Sequence, residues 1–129
     1  MGWYKSLRTS LSVQAKQQLG ITEDANLVVM AAVDCTGHGV PGAFMSIISN
    51  ILLNQTVKNP EINTPADVLH FLQLELFRTF NQNKQSTPRQ DGMDLAFCAI
   101  NFQKMELLFA GANNSLLIVR NQEIIEIKP

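Results

Sequence analysis

The pattern of apolar residues along the chain changes its period twice, and each period predicts a different element. Residues 27–33 are continuously apolar and rich in β-branched side chains, which predicts a strand buried on both faces. From Pro41 to about Val57 the period is helical. This helix should present one apolar face, formed by Val40, Phe44, Ile47, Ile48 and Ile51.

A second helix should begin at Pro65. Thr64 is a good N-cap, Pro65 suits the first helical position, and the carboxylate of Asp67 complements the helix dipole in the first turn. Its core face should contain Val68, Leu69, Leu72, Leu76, Phe77 and Phe80. A polar loop at 81–90 should follow this helix. His70 should be a partly exposed residue of the helix without a metal role.

Beyond the loop the period falls to two, which is typical of short antiparallel strands. We expect strands at 95–102, 105–111, 116–120 and 123–127, with two-residue turns at 103–104 and 121–122 and a wider turn at 111–114. A central strand, two long helices and an antiparallel meander predict the α+β class.

The first 25 residues form a separate segment in this interpretation. Leu7, Leu11, Ala15 and Leu19 recur every four residues, and Gly20 stands where a helix would end. We therefore predict an N-terminal helical segment over 1–25, and a domain over 26–129.

Composition excludes several classes of protein. The chain of 129 residues is long enough for one domain and has a formal net charge of -1, so it offers no basic field for nucleic acid. It contains no apolar run that approaches the roughly 18 residues of a membrane span. Its N-terminal residues lack the long apolar core of a signal peptide, and its two cysteines cannot form a disulfide framework. These features predict a cytoplasmic protein.

The candidate chemistry lies where the first apolar strand ends in Asp34 and passes through Gly37, Gly39 and Gly42 into a helix. Glycines at such a corner take positive φ or allow close backbone contact. Three interpretations compete: a dinucleotide-binding loop, a turn in which Asp34 only caps the helix, and a metal site. The first needs a second strand ending in an acidic residue about 20 residues onward, whereas Glu61 lies between two prolines in an evident loop.

Residues 34–46 (DCTGHGVPGAFMS) resemble the signature of the SpoIIE-like branch of the PPM family, the metal-dependent protein serine/threonine phosphatases related to phosphatase 2C. Residues 91–98 (DGMDLAFC) and 108–114 (LFAGANN) resemble later strands of the same domain, in the expected order. The resemblance covers about residues 26–129 and implies an α/β/β/α sandwich, of which this chain would hold an incomplete, middle portion.

The resemblance also implies the chemistry, which is hydrolysis of phosphoserine or phosphothreonine by water bridging two Mn²⁺ or Mg²⁺ ions. By the motif, Asp34 would be the bridging and catalytic ligand, and the backbone carbonyl of Cys35 would ligate one ion. His38 could be a general acid or could only pack in the turn, and the latter is preferred. Asp91 and Asp94 are weaker candidates for metal, and His38 and Asp94 are weak candidates for contact with substrate.

Two family motifs are missing: the Gly-Asp pair before Asp34, faintly echoed by Gly2, Trp3 and Tyr4, and the aspartates after residue 129. We expect a fragment of a phosphatase that acts on a phosphorylated regulatory protein of the anti-sigma factor antagonist type, downstream of a sensor domain. The alternative is an inactive PPM-like module that binds a phosphoprotein or another partner. Uncovered apolar faces would favour a homodimer.

Overall fold

The computed structural model describes residues 2–7, 27–37, 39–81 and 92–129, where six strands and two helices are formed. In chain order the elements are β1 (Gly2–Leu7), β2 (Leu27–Cys35), α1 (Gly39–Thr56), α2 (Pro65–Asn81), β3 (Met93–Asn101), β4 (Glu106–Ala112), β5 (Leu116–Arg120) and β6 (Glu123–Ile127). The predicted α+β class is confirmed. Neither helix of this part of the chain is long and apolar enough to cross a membrane.

Four strands form an antiparallel sheet in the order β1-β2-β3-β4, and β5 pairs with β6 in a separate hairpin. The predicted helical segment over 1–25 is wrong for residues 2–7, because Gly2–Leu7 is an edge strand that pairs with β2. Pairing with the apolar β2 outweighs the four-residue spacing of leucines at this point. The rest of that predicted helix, at 8–25, lies outside the described residues.

Strand β2 is buried on one face and exposed on the other, so the expectation of burial on both faces is wrong. Leu27, Val29, Ala31 and Val33 point into the core, while Met30 is 39% exposed and Ala32 is also exposed. The reason is the packing of the layers: both helices of the described chain contact the sheet from the face that holds the odd-numbered residues of β2.

The core forms between this sheet face and the two helices. It consists of aliphatic and aromatic side chains that are at least nine-tenths buried: Leu27, Val29, Ala31 and Val33 from β2, Leu52, Leu53 and Val57 at the end of α1 and beyond, Ile62, Val68 and Leu72 in and before α2, and Leu95, Phe97 and Ala99 from β3. Leu53 is fully buried. The core thus fixes the strand ends at which the candidate site lies.

Helix α1 does not turn the predicted face toward this core. Val40, Phe44, Ile47 and Ile51 are exposed and Ile48 is half-buried, whereas Met45, Ser49, Leu52, Leu53 and Thr56 form the buried side. In α2, Val68 and Leu72 are buried as predicted, but Phe77 is 69% exposed, which corrects its assignment to the core.

The predicted start of α2 is confirmed by its hydrogen bonds. Thr64 Oγ1 accepts a hydrogen bond from the backbone N–H of Asp67 at 3.2 Å, and Asp67 Oδ2 accepts one from the backbone N–H of Thr64 at 2.8 Å. Two donors that the helix leaves free are therefore satisfied reciprocally, as in a capping box. The backbone N–H of Asn63 also donates to Asp67 Oδ2, at 3.1 Å.

The short strands after the second helix lie within two residues of their predicted bounds, and β5 and β6 match them fully. Asn121 and Gln122, which join β5 to β6, have φ of 52° and 65°. Positive φ at both central residues is the geometry of the tight hairpin turn that matches strand twist. The predicted two-residue turn is confirmed.

Candidate metal site at the end of strand β2

Asp34 lies at the end of β2, one residue before the strand stops. Its side chain is exposed and belongs to the sheet face opposite the helices. The chain then leaves the strand through Thr36 and Gly37, and enters α1 at Gly39. The strand-to-helix corner that the sequence predicts around Asp34 is thus present.

Two of the three predicted corner glycines have a conformation that other residues rarely adopt. Gly37 has φ of 98° and Gly39 has φ of 67°. These backbone angles turn the chain sharply from the strand direction into the first turn of α1. The corner therefore depends on glycine at both positions.

Gly42 has a different role, since it allows two backbone segments to touch. A Cβ atom placed on Gly42 would lie 2.6 Å from the carbonyl oxygen of Gly37 and 3.0 Å from its carbonyl carbon. No side chain fits this space without a shift of the backbone. The absence of a side chain on Gly42 lets the first turn of α1 hold the corner beside Asp34.

The dinucleotide interpretation of the same glycines fails on the element that follows. After α1 the described chain passes through a loop containing Glu61 and enters a second helix, α2. A dinucleotide fold has a second strand here, which carries a ribose-binding carboxylate. No such strand forms between residues 57 and 81. Both neighbours of β2 are moreover antiparallel to it.

The structure brings a second carboxylate to Asp34. Asp94 of β3 is the direct register partner of Asp34, so both side chains project from the same face of the sheet. Directly opposite residues have Cβ atoms about 4.5–5.5 Å apart. Two aspartates 60 positions apart in the sequence are therefore direct cross-strand neighbours on this face.

Asn113 holds the carboxylate of Asp94. Its Nδ2 donates a hydrogen bond of 2.8 Å to Asp94 Oδ1. Asn113 has φ of 61° and forms an isolated bridge with Leu95, next to Asp94 in β3. The turn after β4 thereby adds an amide group to the two carboxylates.

Thr36 joins the corner to the residue that precedes β3. Its hydroxyl donates a hydrogen bond of 3.0 Å to the carbonyl of Gly92 and accepts one of 2.8 Å from the N–H of Gly92. The backbone N–H of Thr36 donates to the same carbonyl, at 3.0 Å. These three bonds fix the start of β3, and with it Asp94, against the segment that follows Asp34.

The Cys35 side chain points to the opposite layer. Its Sγ lies 3.5 Å from the hydroxyl of Ser49 in α1, and the side chain packs on the core. The Ser49 hydroxyl donates a hydrogen bond of 2.7 Å to the carbonyl of Met45, and Sδ of Met93 lies 3.4 Å from the same oxygen. The group that Cys35 could offer to a metal is therefore its backbone carbonyl.

The remaining candidates are His38, Asp91 and His70. His38 and Asp91 lie outside the described residues, and His70 is exposed on α2. Within the described ranges no group of three or more His, Cys, Asp or Glu side chains is arranged to hold a metal ion. The second cysteine, Cys98, is buried in β3, and burial raises the pKa of its thiol, which keeps it protonated.

The sequence indicated Asp34, Cys35 and the glycines, but not Thr36 or Asn113. Thr36 stood inside the motif at 34–46, and Asn113 stood inside the one at 108–114 and in a turn, but neither was given a role of its own. Both act through contacts with residues far away in the sequence, so a local pattern holds no signal for them. The chain as a whole matches no known family model, no curated protein and no solved structure.

Proposed function

We propose that this chain is part of a PPM-type, metal-dependent protein serine/threonine phosphatase domain. The observation that carries the proposal is the pairing of Asp34 with Asp94 beside a corner that depends on glycine. This arrangement agrees with the phosphatase-like signature at residues 34–46. A glycine turn with only a capping aspartate gives no reason for the second carboxylate.

The donor atoms at this place suit Mn²⁺ or Mg²⁺. Carboxylate oxygens of Asp34 and Asp94 and the carbonyl of Cys35 are hard ligands, which these ions prefer over thiolates. Asn113 would keep the Asp94 carboxylate in a fixed orientation through its amide donor. Two carboxylates suffice for one partly hydrated ion, and a binuclear centre needs further carboxylates.

When two ions are bound, they supply an activated water and neutralise charge on the phosphoryl group. The residues of this chain prepare the site for that chemistry. Asp34 would hold the metal position at the strand end, and Thr36 would keep β3 in place beside it. Gly37 and Gly39 would add no side chains of their own to the corner, which leaves more space for a phosphoryl group.

The substrate class follows from the same resemblance. We propose phosphoserine or phosphothreonine on a bacterial regulatory protein, of the anti-sigma factor antagonist type, with a sensor domain upstream in a parent protein. The proposed location is the cytoplasm. Nucleic acid is not among the proposed partners, because the chain carries 10 basic and 11 acidic residues.

A second candidate function is a binding module that recognises a phosphoprotein without hydrolysing it. The observation that favours it is the small number of carboxylates: in the parts of the chain with described structure, no cluster of three metal-binding side chains forms. Such a module would retain the Asp34 site for one ion and use it to hold the phosphate.

The test is Mn²⁺-dependent hydrolysis of a phosphoserine peptide by the wild-type chain and by Asp34→Asn. We expect Asp34→Asn to lower the rate at least about a hundredfold, because a charged ligand of the metal is lost. Glu106→Gln is the matched control, since it removes an exposed carboxylate on β4, and it should leave the rate unchanged. Full activity of folded Asp34→Asn would contradict the proposal.

The melting temperature in Mn²⁺ tests the metal site that both candidates share, and hydrolysis separates them. Both predict that Mn²⁺ raises the melting temperature of the wild type and not of Asp34→Asn, because bound metal stabilises the folded state. Metal binding and phosphopeptide binding without hydrolysis would favour the binding module.

A further inference from the structure

Helix α1 has two apolar sides, and the described part of the fold packs against one of them. Val40 is 79% exposed, Phe44 62%, Ile47 58% and Ile51 52%. These four residues, called here the α1 stripe, lie on the side of the helix away from the buried Met45, Ser49, Leu52 and Leu53. A helix that is apolar on all sides is normally covered on all sides.

The spacing of the α1 stripe is that of a helix–helix contact. Its residues are separated by four, three and four positions, which is the repeat of the apolar seam in paired helices. The side chains therefore form one straight line along about three turns of α1. A second helix laid against this line would contact all four.

Helix α1 has no charged side chain that could attract a charged partner to the α1 stripe. None of the 18 residues of α1 is acidic or basic. The positions that flank the stripe, where paired helices usually carry charges that select a partner, are occupied by Ala43, Ile48, Asn50 and Gln55. A symmetric pair of identical helices would bring no like charges together here.

The exposed area fits a weak dimer. If each of these side chains offers roughly 150–200 Å² when fully exposed, the four exposed fractions leave roughly 400–500 Å² of apolar surface per copy. Two copies would bury at most roughly 800–1,000 Å² through the stripe alone, which is below the roughly 1,200 Å² of stable interfaces and within the range of weak, transient ones. An apolar patch of this size on one protein commonly marks an interaction site.

We propose that α1 pairs with α1 of a second copy of this chain, through the α1 stripe and across a two-fold axis. The self-association is reversible and has a dissociation constant in the micromolar range. The proposal does not depend on the phosphatase function, because the stripe lies on a helix and Asp34 lies on the other side of the sheet.

Sedimentation velocity from about 1 to 200 µM tests the proposal. The wild type should shift from monomer to dimer across this range. Phe44→Lys should raise the dissociation constant at least about tenfold, because the symmetric contact would bury two added charges. Phe77→Lys changes the same residue type at similar exposure, 69%, on α2, and it should leave the dissociation constant unchanged.

A monomer over the whole range would overturn the proposal, and so would a dimer that folded Phe44→Lys does not weaken. Ile47→Cys provides a second test that needs no added charge. Because Phe44 and Ile47 are the central residues of the stripe, the cysteine should form a disulfide-linked dimer under mild oxidation. Phe77→Cys should form no more disulfide-linked dimer than the wild type does. Failure of Ile47→Cys to cross-link would contradict a contact through the α1 stripe.

Discussion

Gly42→Ala is a test of the corner beside Asp34 in which two simple rules predict opposite signs. Gly42 is the fourth residue of α1, and alanine is usually preferred over glycine inside a helix by about 0.5–1 kcal/mol. Helix propensity alone therefore predicts that Gly42→Ala stabilises the protein. The contact between Gly42 and Gly37 predicts the reverse.

The magnitude follows from the distance. The added methyl carbon would lie 2.6 Å from the Gly37 carbonyl oxygen, whereas close C–H···O contacts are about 3.3–3.6 Å. Relief requires a backbone shift of roughly 0.7–1 Å at the corner, and overpacking of this kind costs about 1–3 kcal/mol. After subtraction of the propensity gain, the fall in the free energy of unfolding is about 0–2.5 kcal/mol, with a central value of about 1 kcal/mol.

Urea unfolding followed by circular dichroism measures this difference, with Ala43→Gly as the control. Ala43 is exposed in the same turn, so Ala43→Gly should lower the free energy of unfolding by about 0.5–1 kcal/mol through propensity alone. Gly42→Ala and Ala43→Gly are opposite changes, and both should destabilise the protein. A Gly42→Ala variant that is more stable than the wild type would refute the close approach of Gly42 to Gly37.

Two further predictions concern hydrogen bonds that hold the ends of elements. Thr36→Val removes the hydroxyl that both donates to and accepts from Gly92, so we expect urea unfolding to show a loss of about 1 kcal/mol, which Thr36→Ser should largely restore. Burial opposes ionisation of Asp67, but the backbone N–H groups of Asn63 and Thr64, the Thr64 hydroxyl and the charge of His70 together hold its pKa below the ordinary 3.8. The stability that ionised Asp67 contributes is therefore complete above pH 3.8 and is lost as the pH falls through the lower pKa of the folded state. Asp67→Asn should remove that part of the acid dependence, and an unchanged profile of unfolding free energy against pH would contradict the role of this carboxylate.

Elements that depend on neighbouring residues were predicted well from the sequence. The cap at Thr64, the helix that follows it and the turn at Asn121 and Gln122 each rest on contacts within a few residues. The period of two identified β3 to β6 for the same reason. Gly2–Leu7 was missed because its strand exists only through pairing with β2, which is distant in the sequence.

The candidate site was predicted in part for a similar reason. Asp34 and the glycines follow one another in the chain, so their motif placed them at a strand end before any contact was known. Asp94 was only a weak candidate, because its importance depends on the register of β3 against β2. Asn113 acquires its role from a hydrogen bond across 19 positions, which the sequence pattern does not contain.

The sequence predicted the wrong face of α1 as the buried one. The reason for this error is more general, and it also supports the contact proposed for α1. Ser49 and Thr56 are polar and would ordinarily mark the solvent side, but both are buried because their hydroxyls donate to carbonyls of the same helix, Met45 and Leu53, each at 2.7 Å. The small hydroxyl residues thereby occupy the side that packs closely on the sheet, and larger apolar residues such as Phe44 are left outside. If the outer side faced only water, polar residues there would cost nothing in packing and would improve solubility. An outer side that is apolar at every stripe position, on a helix without charges, is therefore better explained by a surface that is covered in the assembled protein.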